Sequence, residues 1–141
     1  MPTRRAARER ALELAYECEQ RGVSASELLT ELPVAPDDYA QQLVLGVDAH
    51  HEEVDAMLRK YSEHWALERM PVIDRALLRI GTFELCWLPE TPTAVVITEA
   101  VELAKEYSTK DSGRFVNGLL ARIAEDVRVE DVPVEDVRAE E

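Results

Sequence analysis

Ala76-Leu77-Leu78-Arg79-Ile80-Gly81-Thr82-Phe83-Glu84-Leu85-Cys86-Trp87-Leu88 is apolar on nearly every side of a helical projection. A surface helix carries one apolar stripe facing the core, whereas a helix apolar all round must be covered all round. This segment, within a helix expected over 72–87, therefore belongs in the middle of the fold. Met70-Pro71 restarts the chain before it, and Pro89 and Pro92 break the chain after it.

Amphipathic helices extend outward from this segment in both directions. Upstream, a first helix is expected over 3–21, with Thr3 as cap, Gly22 as stop and a stripe of Ala7, Ala11, Leu14, Ala15 and Cys18. Ser24 followed by Glu27 reads as a capping box for a short helix reaching Leu32. Beyond the loop bracketed by Pro33 and Pro36, one long helix is expected from Asp37 to Tyr61. Its stripe is Tyr39 or Ala40, Leu43, Val44, Val47, Val54, Met57 and Leu58. Ser62 opens a short turn containing Trp65, near which two bundles would divide. Downstream, a helix over 93–107 turns Val96, Ile97, Ala100, Val101 and Ala104 inward. The last helix, 113–126, has Ser112 as its cap and Phe115, Val116, Leu119, Leu120 and Ile123 as its apolar positions. No segment reads as a strand. About seven helical segments imply an all-α bundle.

Composition agrees. The 141 residues are 46 % hydrophobic and include only 5 glycines, which suits one helical domain with its own core. That domain is expected over 1–126. Residues 127–141 form an acidic tail of repeated valine–acid units, expected to be largely disordered. The tail would act either as an electrostatic brake on nucleic-acid binding or only as an aid to solubility. The net charge of −13 opposes nucleic-acid binding when taken as a whole. Its distribution softens the objection: Arg4, Arg5, Arg8 and Arg10 crowd the basic start, and acids crowd the end.

No catalytic, metal or cofactor site is expected. There is no phosphate loop, nucleotide-binding glycine fingerprint or nucleophile elbow. His50 and His51 are adjacent, so on a helix they diverge, and they read as a solvated face. Cys18 and Cys86 lie in apolar patterns with no metal spacing and read as small buried hydrophobes. The start lacks an apolar signal core and no apolar run is long enough to span a bilayer, so a cytoplasmic protein without membrane association is expected.

Three segments carry a family resemblance. They are Arg4 to Tyr16, Arg75 to Leu85, and the run Pro92, Ala94-Val95-Val96-Ile97-Thr98-Glu99-Ala100-Val101-Glu102-Leu103-Ala104-Lys105 followed by Ser112-Gly113-Arg114-Phe115-Val116-Asn117-Gly118-Leu119-Leu120. The chain up to about Asp126 resembles the NusB family of transcription antitermination factors. The family pattern reads roughly P-x-x-V-x-I-N-E-A-V-E-L-A-K, then S-x-x-F-V-N-G-V-L. Thr98 stands where the family usually has Asn, and Ala121 where many members carry Asp. The resemblance implies two small three-helix bundles with an extra helix. It also implies binding of the boxA element of ribosomal RNA transcripts together with NusE, which is ribosomal protein S10. That assembly would join an RNA polymerase antitermination complex and help it avoid premature termination. A homodimer hiding the RNA face is the rival state. The NusB-like module of an RNA cytosine methyltransferase is the rival function, and it would require a Rossmann domain that these residues do not hold.

On this resemblance, RNA-binding residues are expected at Arg4, Arg5, Arg8, Arg10, Tyr16, Lys105, Lys110, Arg114, Phe115 and Asn117. Four arginines at a helix N-terminus oppose the helix dipole, and this local conflict points to an anionic partner. Tyr16 would either stack a base or fill the core, and Phe115 would do some of each. Glu84 and Trp87, at the end of the buried helix, are expected to face NusE; the alternative packs Trp87 against the Pro89–Pro92 turn. Arg75 and Arg79 would either pair with acids across the bundle or line a binding face. Gly118 costs its helix about 1 kcal/mol relative to alanine. It is read first as a site of close helix packing, with a partner's approach as the alternative.

Overall fold

In the computed structural model, which describes residues 3–63 and 65–128, the elements are α1 (Arg4–Arg21), α2 (Ala25–Glu31), α3 (Asp38–Ala49), α4 (His51–Tyr61), a 3-10 turn (Leu67–Arg69), α5 (Val72–Trp87), α6 (Thr93–Tyr107) and α7 (Ser112–Val127). No strand occurs among the described residues. The acidic segment 129–141, including the disorder expected of it, lies outside the described residues.

The helix starts follow local chemistry. Thr3 accepts the Ala6 amide, Ser24 and Glu27 close a reciprocal capping box, and Asp37 accepts the Tyr39 amide. Gly22 ends α1 at φ 69°, a left-handed conformation that glycine adopts without steric cost. The cap expected of Ser112 is absent. Ser112 is the first residue of α7, and its buried hydroxyl donates to Asp74 Oδ2 (2.8 Å).

α5 is covered on both sides. Ile80, Phe83 and Leu88 join Ala7, Ala11, Leu14, Leu28, Tyr39 and Leu43 in one apolar cluster, which gathers α1, α2 and α3. Leu77, Leu78 and Leu85 join Val54, Leu58, Val96, Leu103, Val116, Leu120 and Ile123 in the other, which gathers α4, α6 and α7. A helix shared by two clusters keeps little face for water, which accounts for its mostly apolar composition; its partly exposed Arg75 and Arg79 pair with acids.

The single long helix expected over 37–61 is two helices, α3 and α4, broken at His50 (φ −113°, ψ 27°). The bundles therefore divide at His50, and not near Ser62. Val47 and Val54 keep helical spacing across the break, so periodicity gives no sign of it. Tertiary packing forces it, because α3 belongs to one cluster and α4 to the other. His50 is consequently no solvated helix residue: its ring stacks on Trp87 with centroids 4.0 Å apart.

Two glycines permit close helix approach. A β-carbon at Gly46 would fall 2.1 Å from Phe83 Cζ, and one at Gly81 would fall 2.8 Å from Leu120 Cδ1. The close packing expected at Gly118 is not found, since nothing lies within 4 Å of its β-carbon position. α7 continues to Val127, and Arg128 is only 5 % exposed, so the body runs past Asp126.

Candidate nucleic-acid interface

The basic residues of α1 have three different fates. Arg8 is 4 % exposed and donates Nε–H and Nη2–H to the two carboxylate oxygens of Glu84 (3.0 and 2.8 Å), itself 1 % exposed. The Tyr39 hydroxyl donates to Glu84 Oε1 (2.5 Å). Burial opposes the Arg8 charge, but the hydrogen bond and the charge of Glu84 outweigh it and raise its pKa. Burial first, then the bond to Glu84, raises the Tyr39 pKa. Arg8 and Glu84 are thus corrections to the sequence reading. Neither offers its charged group to an outside partner, because each is the other's neutralising ion inside the core.

Arg5 and Arg10 remain at the surface in ion pairs. Arg5 makes a bidentate bond to Glu99 of α6 (2.9 and 2.8 Å), which lowers the Glu99 pKa. Arg10 pairs with Glu13 at 3.0 Å. The Arg10–Glu13 pair, exposed on both sides, is worth little and exchanges readily for another anion, whereas Arg5 grips a carboxylate only 16 % exposed with two bonds. Arg4 is exposed and lies 3.7 Å above the Tyr39 ring. The same tyrosine therefore holds Glu84 with its hydroxyl and Arg4 with its ring face.

Tyr16 is 42 % exposed, which settles its alternative in favour of the surface. It lines a groove of about 420 Å³ with Leu12, Ile73 and Tyr107. Tyr107 is also exposed, and its hydroxyl bonds Glu9, which pushes its pKa up to about 12. The sequence reading did not include Tyr107; its place at the end of α6, just past the apolar stripe, was the available signal.

The second basic group lies at the α6–α7 turn. Lys105, Lys110, Arg114 and Asn117 are exposed and Phe115 is half-buried. Asp74 of α5, 2 % exposed, holds this turn by accepting from Ser108 and Ser112. Arg4, Lys110 and Arg114 form no salt bridge among the described residues. The two regions, on α1 and at the α6–α7 turn, together carry unpaired cations, paired cations and exposed aromatic rings. Single-stranded RNA is gripped by such a combination.

Away from this surface, Arg75 and Arg79 pair with acids. Arg75 bonds Glu19, and Arg79 makes a bidentate bond to Asp55 (2.9 and 3.0 Å). Trp87 is half-buried, with Phe83 and His50 stacked against it. No group of three or more metal-ligating side chains occurs among the described residues. No described helix is long and apolar enough to cross a membrane.

Comparison with known proteins gives one consistent result. The model of the NusB family matches residues 5–125. The transcription antitermination protein NusB of Kineococcus radiotolerans is 48 % identical over 129 residues, covering 89 % of this chain and 95 % of the relative. That of Streptomyces avermitilis is 45 % identical over 136 residues, with 89 % and 93 % covered. Among solved structures, T. maritima NusB superposes with a TM-score of 0.80 at 34 % identity, covering 97 % of this chain and 98 % of its own. A complex of the antitermination factors NusB and NusE with dsRNA gives a TM-score of 0.75 at 32 % identity, with 87 % and 96 % covered.

Proposed function

The chain belongs to the NusB family, and from that premise we propose that it is an antitermination factor that binds boxA RNA of ribosomal RNA transcripts together with NusE (ribosomal protein S10). It acts by binding and not by catalysis, as its family does. Within the cytoplasm the bound pair would join the RNA polymerase antitermination complex and oppose premature termination. The observation that carries the RNA reading is the set of cations and rings on α1 and at the α6–α7 turn, namely Arg4, Arg5, Tyr16, Lys105, Lys110, Arg114 and Phe115. It gathers cations and exposed rings on a chain whose net charge is −13. Arg10 and Asn117 complete the proposed set.

Titration of a boxA-containing RNA, with and without NusE, tests this directly. Replacing Arg4, Arg5 and Arg10 together by alanine should weaken RNA binding at low salt by at least about tenfold. It should also reduce the slope of log affinity against log salt by about 2, since each phosphate contact on a single strand contributes about 0.7. Arg8 is excluded from this set because its loss would act through the fold. Unchanged affinity and slope in the folded variant would overturn the assignment of α1. Sedimentation of the free protein separates a monomer from a homodimer that covers this surface.

The NusE contact is placed at Trp87, now without Glu84. Trp87→Ala should weaken NusE binding by about 2 kcal/mol, roughly 30-fold, if the indole anchors that interface. RNA binding by the isolated protein should hardly change. Equal NusE affinity in a folded variant would return Trp87 to a purely structural role beside His50.

A further inference from the structure

The aromatic and basic surface has a part that neither the sequence pattern nor the comparisons point to. Trp65, between α4 and the 3-10 turn, is 41 % exposed, and its ring meets Phe115 with centroids 5.0 Å apart at 58°. Together with Tyr61 these rings line an open cavity of about 360 Å³. Its other wall is one stripe of α7. Arg114, Gly118 and Arg122 stand at i, i+4 and i+8, so the two guanidinium groups rise from the helix about 12 Å apart along its axis. Arg122 is engaged only with the exposed Glu63 in the described ion pairs.

Gly118 supplies a second, independent observation. Glycine inside a helix is unfavourable, and here no packing contact requires it, since its β-carbon position is empty to 4 Å. The empty space opens into the cavity between the two arginines. α7 is therefore notched on its outer side, and the notch faces the Trp65–Phe115 pair.

We propose that this notch is a base-stacking subsite. It takes one unpaired nucleobase of the bound RNA on Trp65 and Phe115, with the flanking phosphates on Arg114 and Arg122. The proposal rests on the RNA-binding reading above and adds Trp65, Gly118 and Arg122 to it. Charge complementarity selects the occupant: an aromatic floor flanked by two cations suits an aromatic ring carried between two anions. The phosphate on the Arg122 side replaces Glu63, an exchange between exposed ions with little net cost.

The test uses the full chain and boxA-containing RNA. The protein has only two tryptophans, Trp65 and Trp87, so its emission reports on the notch against a constant background. RNA should quench wild-type emission, and Trp65→Phe should abolish the quench while Trp87 still emits. Trp65→Ala should weaken RNA binding by roughly 5- to 100-fold, the range expected for one stacked base. Gly118→Leu, which fills the notch without meeting another residue at Cβ, should do the same with thermal stability unchanged or raised, since a helical glycine is replaced. A single abasic substitution in the RNA should then cost the wild type affinity but cost Trp65→Ala nothing further. If both variants bind RNA as tightly as a binding-competent wild type, the subsite is overturned and the RNA reading stands. If they lose NusE affinity and keep RNA affinity, the notch belongs to a protein partner and the subsite is again overturned. Absence of RNA binding by the wild type, with and without NusE, would overturn both readings.

Discussion

Glu84→Ala is expected to lower the unfolding free energy by about 3–5 kcal/mol, the cost of stranding one member of a buried ion pair. Arg8 would be left charged in a site 4 % exposed, and the Tyr39 hydroxyl would lose its acceptor. For a domain of this size, Tm should fall by roughly 10–15 °C. Arg8→Ala should cost a similar amount, yet the double variant should cost far less than the two losses added, because each single change leaves an unpaired partner that the double change removes. Thermal or urea denaturation of the four proteins measures this. Additive losses, or a loss below about 1 kcal/mol for Glu84→Ala, would show that the pair does not hold α1 to α5. The same proteins separate structure from recognition. If Glu84 acts only inside the fold, NusE affinity should change no more than the folded fraction does.

The second large effect is expected at Arg128. Its guanidinium donates to the carbonyls of Glu84 (3.0 Å), Leu85 (2.9 Å), Leu88 (2.9 Å) and Thr91, and to Thr93 Oγ1 (3.2 Å). The first three lie at the end of α5: the Leu85 carbonyl is one of the last of the helix, which lack a partner within it, and those of Glu84 and Leu88 also accept the amides of Leu88 and Thr91. A cation at that end also complements the helix dipole. One side chain thus ties the end of α7 to the end of α5 and the start of α6. Arg128→Met keeps much of the apolar stem and removes the donors, so about 2–4 kcal/mol of stability should be lost. Arg128→Lys should recover only part of it, because one ammonium cannot reach acceptors spread around a planar fork. A pair of truncations isolates the residue. Protein ending at Val127 should melt well below protein ending at Arg128, and equal melting temperatures would refute the role.

Both arginines show where sequence reading stops. Arg4, Arg5, Arg8 and Arg10 are chemically alike and share one helix, and the pattern gives them one role. In the folded chain Arg8 turns inward to a carboxylate 76 positions away, while Arg5 meets one 94 positions away at the surface. Arg128, counted with the acidic tail on composition, is among the more buried charges. The glycines divide in the same way. Gly118 carried a visible helix penalty but has open space around it, whereas Gly46 and Gly81, which drew no such attention, are the ones on which packing depends. Trp65 fell in a turn with no periodicity, so nothing marked it as a ring facing Phe115.

Most helix starts and stops and the apolar faces were legible because they are local; the start of α7 at Ser112 and the stop and restart at His50 were not. A cap binds an amide two or three residues on, and a stripe is set by a repeat of 3.6 residues. The central position of α5 was legible for the same reason, since a segment apolar on all sides has only one stable place. Membership in the family followed from three continuous segments of residues. The break at His50, the burial of Arg8 with Glu84, the anchoring of Arg128 and the notch at Gly118 depend on which helices meet. Charge and size at one position do not encode a partner many residues away. Only the packed core, by removing water from one arginine and leaving its neighbour wet, decides which charge holds the fold and which stays at the surface.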